Sequence, residues 1–288
     1  MNPIVIWTVV SLTLLGTMAA AILYVVAQKF KVYEDPRIDE VQNALPGANC
    51  GGCGFAGCRN FAEAIVKADS FEGLNCPVGG ASLMGEVAAI LGREAVAVDP
   101  LIAVVRCNGT PEHRPRTTVY DGVPNCRVAH SLYTGETACG FGCLGLGDCV
   151  VACQFDAMYM DSATGLPVIS DEKCVACGAC VKACPRIIIE LRKRAKKDRK
   201  IHVSCVNRDK GGPARKACNV ACIGCGKCVK VCEYDAITME NNLAFIDSTK
   251  CVFCRKCAPE CPTGAILELN FPPRKEKVVE KPAGETGA

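Results

Sequence analysis

Cysteine carries the chemistry that this sequence can perform. The chain has 24 cysteines in 288 residues, and sixteen of them fall into four short runs between residues 139 and 261. Two runs read C-x2-C-x2-C-x3-C-P, a third has the same spacing with Glu233 in place of proline, and the fourth is looser, C-x3-C-x5-C-x3-C. This spacing is typical of cysteines that ligate [4Fe-4S] clusters. The sequence therefore predicts iron–sulfur clusters and one-electron transfer.

The spacing also predicts which cysteines share a cluster. Three thiolates two residues apart can converge on one cubane, whereas the fourth, three residues further on, points to the other cluster of a pair. We therefore assign the ligands crosswise within each pair of runs. The predicted sets are Cys139, Cys143, Cys149 and Cys184 for cluster 2, Cys153, Cys174, Cys177 and Cys180 for cluster 3, Cys222, Cys225, Cys228 and Cys261 for cluster 4, and Cys232, Cys251, Cys254 and Cys257 for cluster 5.

A further candidate site lies upstream and has different spacing. Its predicted ligands, those of cluster 1, are Cys50, Cys53, Cys58 and Cys76. Glycines between them let the backbone turn tightly around a bulky inorganic core. Phe61, Ala62, Ile65 and Val66 recur at helical spacing, which predicts a short helix with its apolar side on the cluster. Zinc is the rival metal because C-x2-C pairs also build zinc ribbons, but zinc ribbons do not explain the runs downstream.

The elements that must position these cysteines are repeated along the chain. Each run is followed by a short apolar segment that predicts a strand, and Leu166–Lys173 parallels Leu243–Lys250, so residues 139–191 and 222–269 form two copies of one unit. Each copy is too small to bury much apolar core, so metal coordination should supply much of its folding free energy. The predicted fold class is α+β, with one N-terminal transmembrane helix, a small 4Fe-4S domain and two tandem bacterial-type two-cluster ferredoxin modules.

The amino terminus predicts a membrane anchor. No charged residue occurs from Asn2 to Gln28, and Ile4–Ala27 is apolar enough and long enough to cross a hydrocarbon layer about 30 Å thick. Lys29, Lys31 and Arg37 follow, which predicts that the cysteine-bearing body lies on the cytoplasmic side. A cleaved signal peptide is the alternative, but the segment lacks a basic start and is too long.

The net charge and one basic stretch bear on possible binding partners. The formal net charge is +3, but each cubane with four thiolates carries about −2, so five sites would make the protein acidic, which argues against nucleic-acid binding. The stretch 190–200 nevertheless holds seven basic residues, and it either steers a negative donor protein or is a solvated linker that balances cluster charge. The basic residues are Arg192, Lys193, Arg194, Lys196, Lys197, Arg199 and Lys200.

Four cysteines remain unassigned. They are Cys107, Cys126, Cys205 and Cys218. A sixth cluster is arithmetically possible, although buried structural thiols are the simpler interpretation because neither pair shows C-x2-C spacing. A disulfide-stapled secreted protein is disfavoured, since thiols at two-residue intervals are geometrically poor bridging partners. The segment Gly140-x-Gly142-x-x-Gly145 matches a dinucleotide motif but contains Cys143 and lacks the strand and helix context.

The combination resembles a known family. The uncharged N-terminal span, the segment NCGGCGFAGC at 49–58 with Cys76, and the doubled ferredoxin units are similar to the B subunit of the Rnf complex, the ion-translocating ferredoxin:NAD⁺ oxidoreductase of bacterial cytoplasmic membranes. The resemblance covers residues 1 to about 272. It implies a subunit that accepts electrons from soluble reduced ferredoxin and passes them to partner subunits, while the complex moves Na⁺ or H⁺. It also implies no independent catalytic site on this chain.

The predicted organisation has seven parts. Residues 1–28 form the anchor, 29–80 the linker and first cluster domain, 81–135 a small mixed segment with a helix over 86–97, 136–192 ferredoxin module 1, 193–217 a basic connecting segment, 218–270 ferredoxin module 2 and 271–288 a disordered tail. Two rivals are an iron–sulfur subunit of another membrane-anchored oxidoreductase with its own small-molecule substrate, and a zinc-stabilised scaffold. Five [4Fe-4S] clusters are expected under the favoured interpretation.

Overall fold

The computed structural model describes residues 3–30, 34–94 and 99–274. The helices are α1 Pro3–Lys29, α2 Pro36–Ala44, α3 Cys58–Lys67, α4 Gly80–Leu91, α5 Cys126–Leu132, α6 Asp148–Val151, α7 Ala179–Ala183, α8 Gly211–Ala217 and α9 Lys227–Lys230. The strands are β1 Leu101–Val105, β2 Met158–Met160, β3 Pro167–Ile169, β4 Ile189–Lys193, β5 Lys200–Val203, β6 Ile237–Glu240, β7 Leu243–Ile246 and β8 Ile266–Leu269. The helix predicted over 86–97 is α4, which begins earlier and ends at Leu91. Residues 95–97 of that prediction, and residues 275–288 of the predicted tail, lie outside the described residues.

Helix α1 stands apart from the rest of the chain. It has 27 residues, none of them buried, and it is the one helix in the described ranges that is long and apolar enough to cross a membrane. At 1.5 Å per residue it spans about 40 Å, which exceeds the hydrocarbon thickness. Since apolar side chains surround the whole helix, lipid is the solvent that suits it. The predicted N-terminal span is therefore present as a single continuous helix.

Three helices form a small domain directly after the anchor. Val41 of α2, Ile65 of α3 and Val87 of α4 are completely buried and meet in one core. The four α3 residues that the helical spacing singles out, Phe61, Ala62, Ile65 and Val66, are all buried. Arg93, just after α4, donates to the carbonyl oxygen of Ile65, which ties the end of α4 to α3. The domain is thus held by side-chain packing on one face of each helix.

Four two-stranded antiparallel sheets build the remainder of the fold. Strands β2 and β3, and strands β6 and β7, are local hairpins. The other two sheets join distant segments: β1 pairs with β4, and β5 pairs with β8. Strand β1 lies in the predicted connecting segment 81–135, and β5 lies in the predicted basic segment 193–217. Strand β1 thus joins the sheet of the first ferredoxin unit, and β5 joins that of the second.

The two units meet through charged side chains that are buried or partly buried and through the ring of Phe245. Arg106 binds Glu190 at 3.1 Å and donates to the carbonyl oxygen of Val203 in the second unit. Arg192 binds the same Glu190 at 2.6 Å and donates to the carbonyl oxygen of Ile246. Both guanidinium groups lie over the ring of Phe245, at 5.2 and 5.6 Å from its centre. These contacts fix the second ferredoxin unit against the first.

His202 of β5 is buried at this junction. Its Nε2 lies 3.3 Å from the carbonyl oxygen of Val105 at the end of β1. Burial lowers the pKa of His202 to about 4, and the charges of Arg192 and Arg106 contribute to the decrease. The imidazole is therefore neutral in the folded protein at neutral pH, and protonation opposes the packed junction.

The junction should weaken on mild acidification through His202. The unfolded chain binds the proton below a pKa of about 6.5 and the folded chain only below about 4, so the free energy of unfolding falls as pH drops through this window, by about 1.3 kcal/mol between pH 7.5 and 5.5. Melting temperatures of holoprotein at the two pH values measure the loss. We expect His202→Gln to reduce the pH dependence, with the exposed His130→Gln as control. Equal pH dependence in wild type and His202→Gln would contradict this assignment.

Candidate iron–sulfur sites

The N-terminal site is built from one loop and two helix starts. Cys50 and Cys53 lie in the loop, Cys58 begins α3 and Cys76 precedes α4. These four cysteines line one cavity together with Phe61. Asn49 holds the loop, because its Oδ1 accepts a hydrogen bond from the backbone N–H of Cys58 at 2.8 Å.

Two cavities in the ferredoxin units gather the cysteines expected from the crosswise assignment. Cys153, Cys174, Cys177 and Cys180 line the first, with Leu191 and Ile169 supplying apolar wall. Cys222, Cys225, Cys228 and Cys261 line the second, with Val203 and Ile266 beside them. In both, the distant fourth cysteine completes a set of three closely spaced ones, which is the arrangement expected when successive runs exchange a ligand.

The last run of the chain forms a fourth group. Cys251, Cys257 and Cys232 pack in the core of the second unit with Ile246 and Phe253 nearby. Burial raises the pKa of the Cys257 thiol to about 12, and the charges of Cys251 and Cys254 contribute to the increase. Burial likewise raises the pKa of Cys251, with Cys254 and Cys232 adding to the shift. Cys232, Cys251, Cys254 and Cys257 thus share one neighbourhood.

A further cavity in the first unit holds three of the four cysteines predicted for cluster 2, together with Cys126. It is lined by Cys126, Cys143, Cys149 and Cys184. The backbone N–H of Cys126 donates to Asp148 at 2.9 Å and so anchors the start of α5 at this cavity. Cys139 lines another cavity together with Cys143, and the Nδ2 atom of Asn207 is 3.8 Å from its sulfur.

The sequence contained one signal for this difference. The run beginning at Cys139 has intervals of three and five residues, whereas the other three runs have intervals of two. If Cys139 ligated the same cluster as Cys143 and Cys149, the usual intervals of two residues would suffice. Cys126 itself, thirteen residues before the run, carries no local mark of a ligand.

The character of these cavities suits a polynuclear cluster better than a single ion. In the ranges that the structure describes, no three cysteine, histidine, aspartate or glutamate side chains stand close enough together to hold one metal ion. Four thiols surround each cavity instead, and the walls are apolar. Burial raises the pKa of Cys143 and of Cys149 to about 12, so iron must displace their protons when it binds. An all-sulfur donor set in apolar surroundings fits a [4Fe-4S] cluster.

The N-terminal site lies directly against the first ferredoxin unit. A Cβ added to Gly52 would come within 2.9 Å of the Cα and 3.0 Å of the carbonyl oxygen of Cys177. Only the absence of a side chain at Gly52 permits this approach between two cysteine-bearing loops. The thiols around Cys50 and those around Cys177 are therefore neighbours across the interface.

Substitution of Gly52 by alanine should separate the two loops. The methyl group meets backbone atoms that cannot rotate away, so we expect a loss of about 1–3 kcal/mol in the free energy of unfolding, the usual cost of overpacking. Thermal melting of the holoprotein measures it. Gly85→Ala is the matched control, since Gly85 lies inside α4 with open space around its Cβ position. Equal melting temperatures for the two variants would show that the contact is not tight.

Comparison with known proteins agrees with this description. A family model for a putative Fe-S cluster matches residues 45–77, and a 4Fe-4S dicluster model matches residues 138–188 and 221–265. A second 4Fe-4S dicluster model matches residues 173–237, which bridge the two units. The matches support [4Fe-4S] clusters in both ferredoxin units and a separate iron–sulfur site at the N-terminus.

Similar whole proteins carry a consistent name. The B subunit of the Na(+)-translocating ferredoxin:NAD(+) oxidoreductase complex of Acetobacterium woodii is 48% identical over 85% of this chain and 72% of its own length. The B subunit of the proton-translocating ferredoxin:NAD(+) oxidoreductase complex of Clostridium ljungdahlii is 41% identical over 92% of this chain and 93% of its length. The B subunit of the ion-translocating oxidoreductase complex of Methanosarcina acetivorans is 42% identical over 92% of this chain and 99% of its length. This chain belongs to the family formed by the B subunits of ion-translocating ferredoxin:NAD⁺ oxidoreductase complexes, the Rnf complexes.

Proposed function

We propose that this chain takes electrons from reduced soluble ferredoxin and relays them to partner subunits of a membrane complex that couples the transfer to Na⁺ or H⁺ transport. The observation that carries the proposal is the set of buried cysteine groups that adjoin one another from the second ferredoxin unit to the N-terminal domain beside the anchor. The chemistry that [4Fe-4S] clusters supply, when bound, is one-electron transfer. The chain itself holds the sites in apolar surroundings and joins them to α1.

The proposed ligands form five sets. Four are those predicted from spacing, and in the fifth Cys126 replaces Cys139. Support comes from the shared cavity of Cys126, Cys143, Cys149 and Cys184. The backbone N–H groups of Leu146 and Asp148 face the Cys126 thiol and partly offset the rise in its pKa that burial causes. Such N–H groups are the usual means by which proteins stabilise a thiolate ligand.

Iron content should depend on Cys126. We expect Cys126→Ser to lower iron and acid-labile sulfide in anaerobically purified protein by about four atoms each per chain, the content of one cubane. The matched control is Ser131→Ala, in the same helix α5 and exposed. An unchanged iron content in Cys126→Ser would show that Cys126 is a structural residue and not a cluster ligand.

The second ferredoxin unit is the proposed point at which electrons enter. Among the cysteines, Cys225 and Cys254 are the exposed ones, and both belong to this unit. Exposed Val252 and Lys256 flank Cys254, and Lys250 is exposed nearby in sequence. An apolar spot with surrounding positive charge suits a donor whose thiolate-bound cluster carries net negative charge. The N-terminal site, closest in sequence to α1, is the proposed exit.

The basic stretch 190–200 offers less free charge than its composition suggests. Arg192 binds Glu190, Lys193 binds Asp99, Arg194 binds Asp198 and Lys200 binds Asp171. Lys196 and Lys197 are the exposed members of the stretch, and within the described residues neither forms an ion pair. Most of the stretch therefore holds the fold together.

A comparison of two lysine pairs tests the donor site. We expect Lys250→Glu with Lys256→Glu to slow reduction of the holoprotein by reduced ferredoxin about tenfold at low salt, because the charge reversal removes steering. Lys256 pairs with Glu233, but both side chains are exposed, and such a surface pair leaves the lysine open to a partner. Stopped-flow absorbance measures the rate, and the difference should shrink as salt screens the charges. Lys196→Glu with Lys197→Glu is the matched control. A slower rate only in the latter variant would move the donor site to the basic stretch.

Sidedness is part of the proposal. Lys29 ends α1, and Arg37 follows in α2 as the chain enters the cysteine-bearing body. Basic residues next to a span favour the cytoplasmic side. That side also holds soluble ferredoxin and reduced thiols.

A further inference from the structure

We propose that Cys107, Cys139, Cys205 and Cys218 hold a sixth [4Fe-4S] cluster at the junction between the two ferredoxin units. This rests on the proposed function, because it completes the relay between those units. These are the four cysteines left when Cys126 takes its place in the cavity of the first unit. They come from four separate segments, which is why no local spacing reveals them.

Two of the four cysteines, Cys107 and Cys205, occupy equivalent positions in the two copies of the repeat. Cys107 follows β1 by two residues, and Cys205 follows β5 by two residues. Both strands pair with the last strand of their own unit, β4 and β8. His202 on β5 contacts the carbonyl oxygen of Val105 on β1. The ends of the two strands, and the cysteines after them, are therefore brought together where the units meet.

Asn207 connects two of these cysteines from a fully buried position. Its side chain is 1% exposed. Its backbone N–H donates to the sulfur of Cys205 at 3.4 Å, and its Nδ2 points at the sulfur of Cys139 at 3.8 Å. The Oδ1 atom accepts from the backbone N–H of Asp209 at 2.7 Å, which fixes the amide with its NH₂ group towards Cys139. A buried residue whose backbone N–H donates to one sulfur and whose side-chain amide donates to another is suited to thiolates rather than to neutral thiols.

The other two cysteines lie in the same neighbourhood. Cys218 directly follows α8 and is buried in the same core as Cys205. The sulfur of Cys107 accepts from the backbone N–H of Cys143 at 3.5 Å. Asn219, next to Cys218, donates to the carbonyl oxygen of His113 at 3.0 Å, which ties the loop after Cys107 to the end of α8.

A positive side chain is available to balance the charge of four thiolates. Arg114 donates to the carbonyl oxygen of Cys143 at 2.8 Å and packs closely on Gly142, whose Cβ position lies 3.5 Å from the sulfur of Cys139. Buried thiolates without metal and without such a charge would be costly.

The position of this group explains what it would do. The sulfur of Cys107 is hydrogen-bonded to Cys143, a proposed ligand in the first unit, and Cys205 accepts a hydrogen bond from the backbone of Cys222, a proposed ligand in the second. The site therefore touches one cysteine group on each side. With clusters bound, one electron would pass from the site of the second unit to the junction site. The first site would be oxidised by one electron and the junction site reduced by one electron. The next transfer carries it to the first unit, and no proton or bond changes are required.

Metal analysis of the full-length holoprotein tests the count directly. We expect about 24 iron and 24 acid-labile sulfide per chain, against about 20 of each for five clusters. The double variant Cys107→Ser with Cys218→Ser should lose about four of each. Ser204→Ala is the matched control, since Ser204 lies next to Cys205 and its buried Oγ has no hydrogen-bond partner among the described residues. About 20 iron in the wild type, or zinc in a one-to-one ratio to the chain, would overturn the proposal, and neither measurement depends on how the variants fold.

The Asn207→Leu variant distinguishes a cluster site from a group of packed thiols that bind no metal. If Asn207 donates to cluster-bound sulfurs, its loss should leave iron content unchanged and lower the reduction potential of one cluster, because hydrogen bonds to sulfur stabilise the reduced state. EPR-monitored redox titration measures this shift. Identical titrations for Asn207→Leu and wild type would contradict the assignment. If the protein contains its full iron but does not accept electrons from reduced ferredoxin, the proposed function is refuted, whereas the junction site is still supported.

Discussion

Burial of cysteine sulfur is the constraint on which the rest of this structure depends. The two ferredoxin units contain short strands and helices of three to seven residues, and much of their core consists of cysteine itself. Burial raises the pKa of many of these thiols, to about 12 at Cys205. Thiolates at such positions are stable only when a cation compensates them. Metal binding and folding are therefore one process in this part of the chain.

Long-range strand pairing converts two repeated cysteine runs into closed units. Strands β1 and β5 each begin a unit well before its first ferredoxin-type run and pair with its last strand. The pairing covers one side of each cysteine group with Ala103 and Val105 in the first unit, or with Ile201 and Val203 in the second. It also places the residues after each strand at the contact between units. The same strands thus shield the cysteines and set the geometry of the junction.

Charge at the junction is arranged for structure rather than for docking. Arg106 and Arg192 share Glu190 and the face of Phe245, and each also donates to backbone carbonyl oxygens of the second unit. Partly buried guanidinium groups that are paired in this way hold a fixed orientation. They also lie among groups of cysteines whose bound clusters would be negative. The basic character of the stretch 190–200 is therefore best understood as compensation and packing, with a small exposed remainder at Lys196 and Lys197.

The sequence by itself determined the anchor, the type of chemistry and most of the cysteine groups. Apolar length marks α1, regular intervals of two residues mark three of the runs, and helical spacing marks the buried face of α3, because each depends only on neighbours along the chain. Only the tertiary structure decided that Cys126 shares a cavity with Cys143, Cys149 and Cys184, that β1 and β5 pair with the last strands of the ferredoxin units, and that Cys107, Cys139, Cys205 and Cys218 lie near one another. Those features join segments up to about a hundred residues apart, and contacts that arise only when such segments fold together leave no periodicity or spacing in the local sequence.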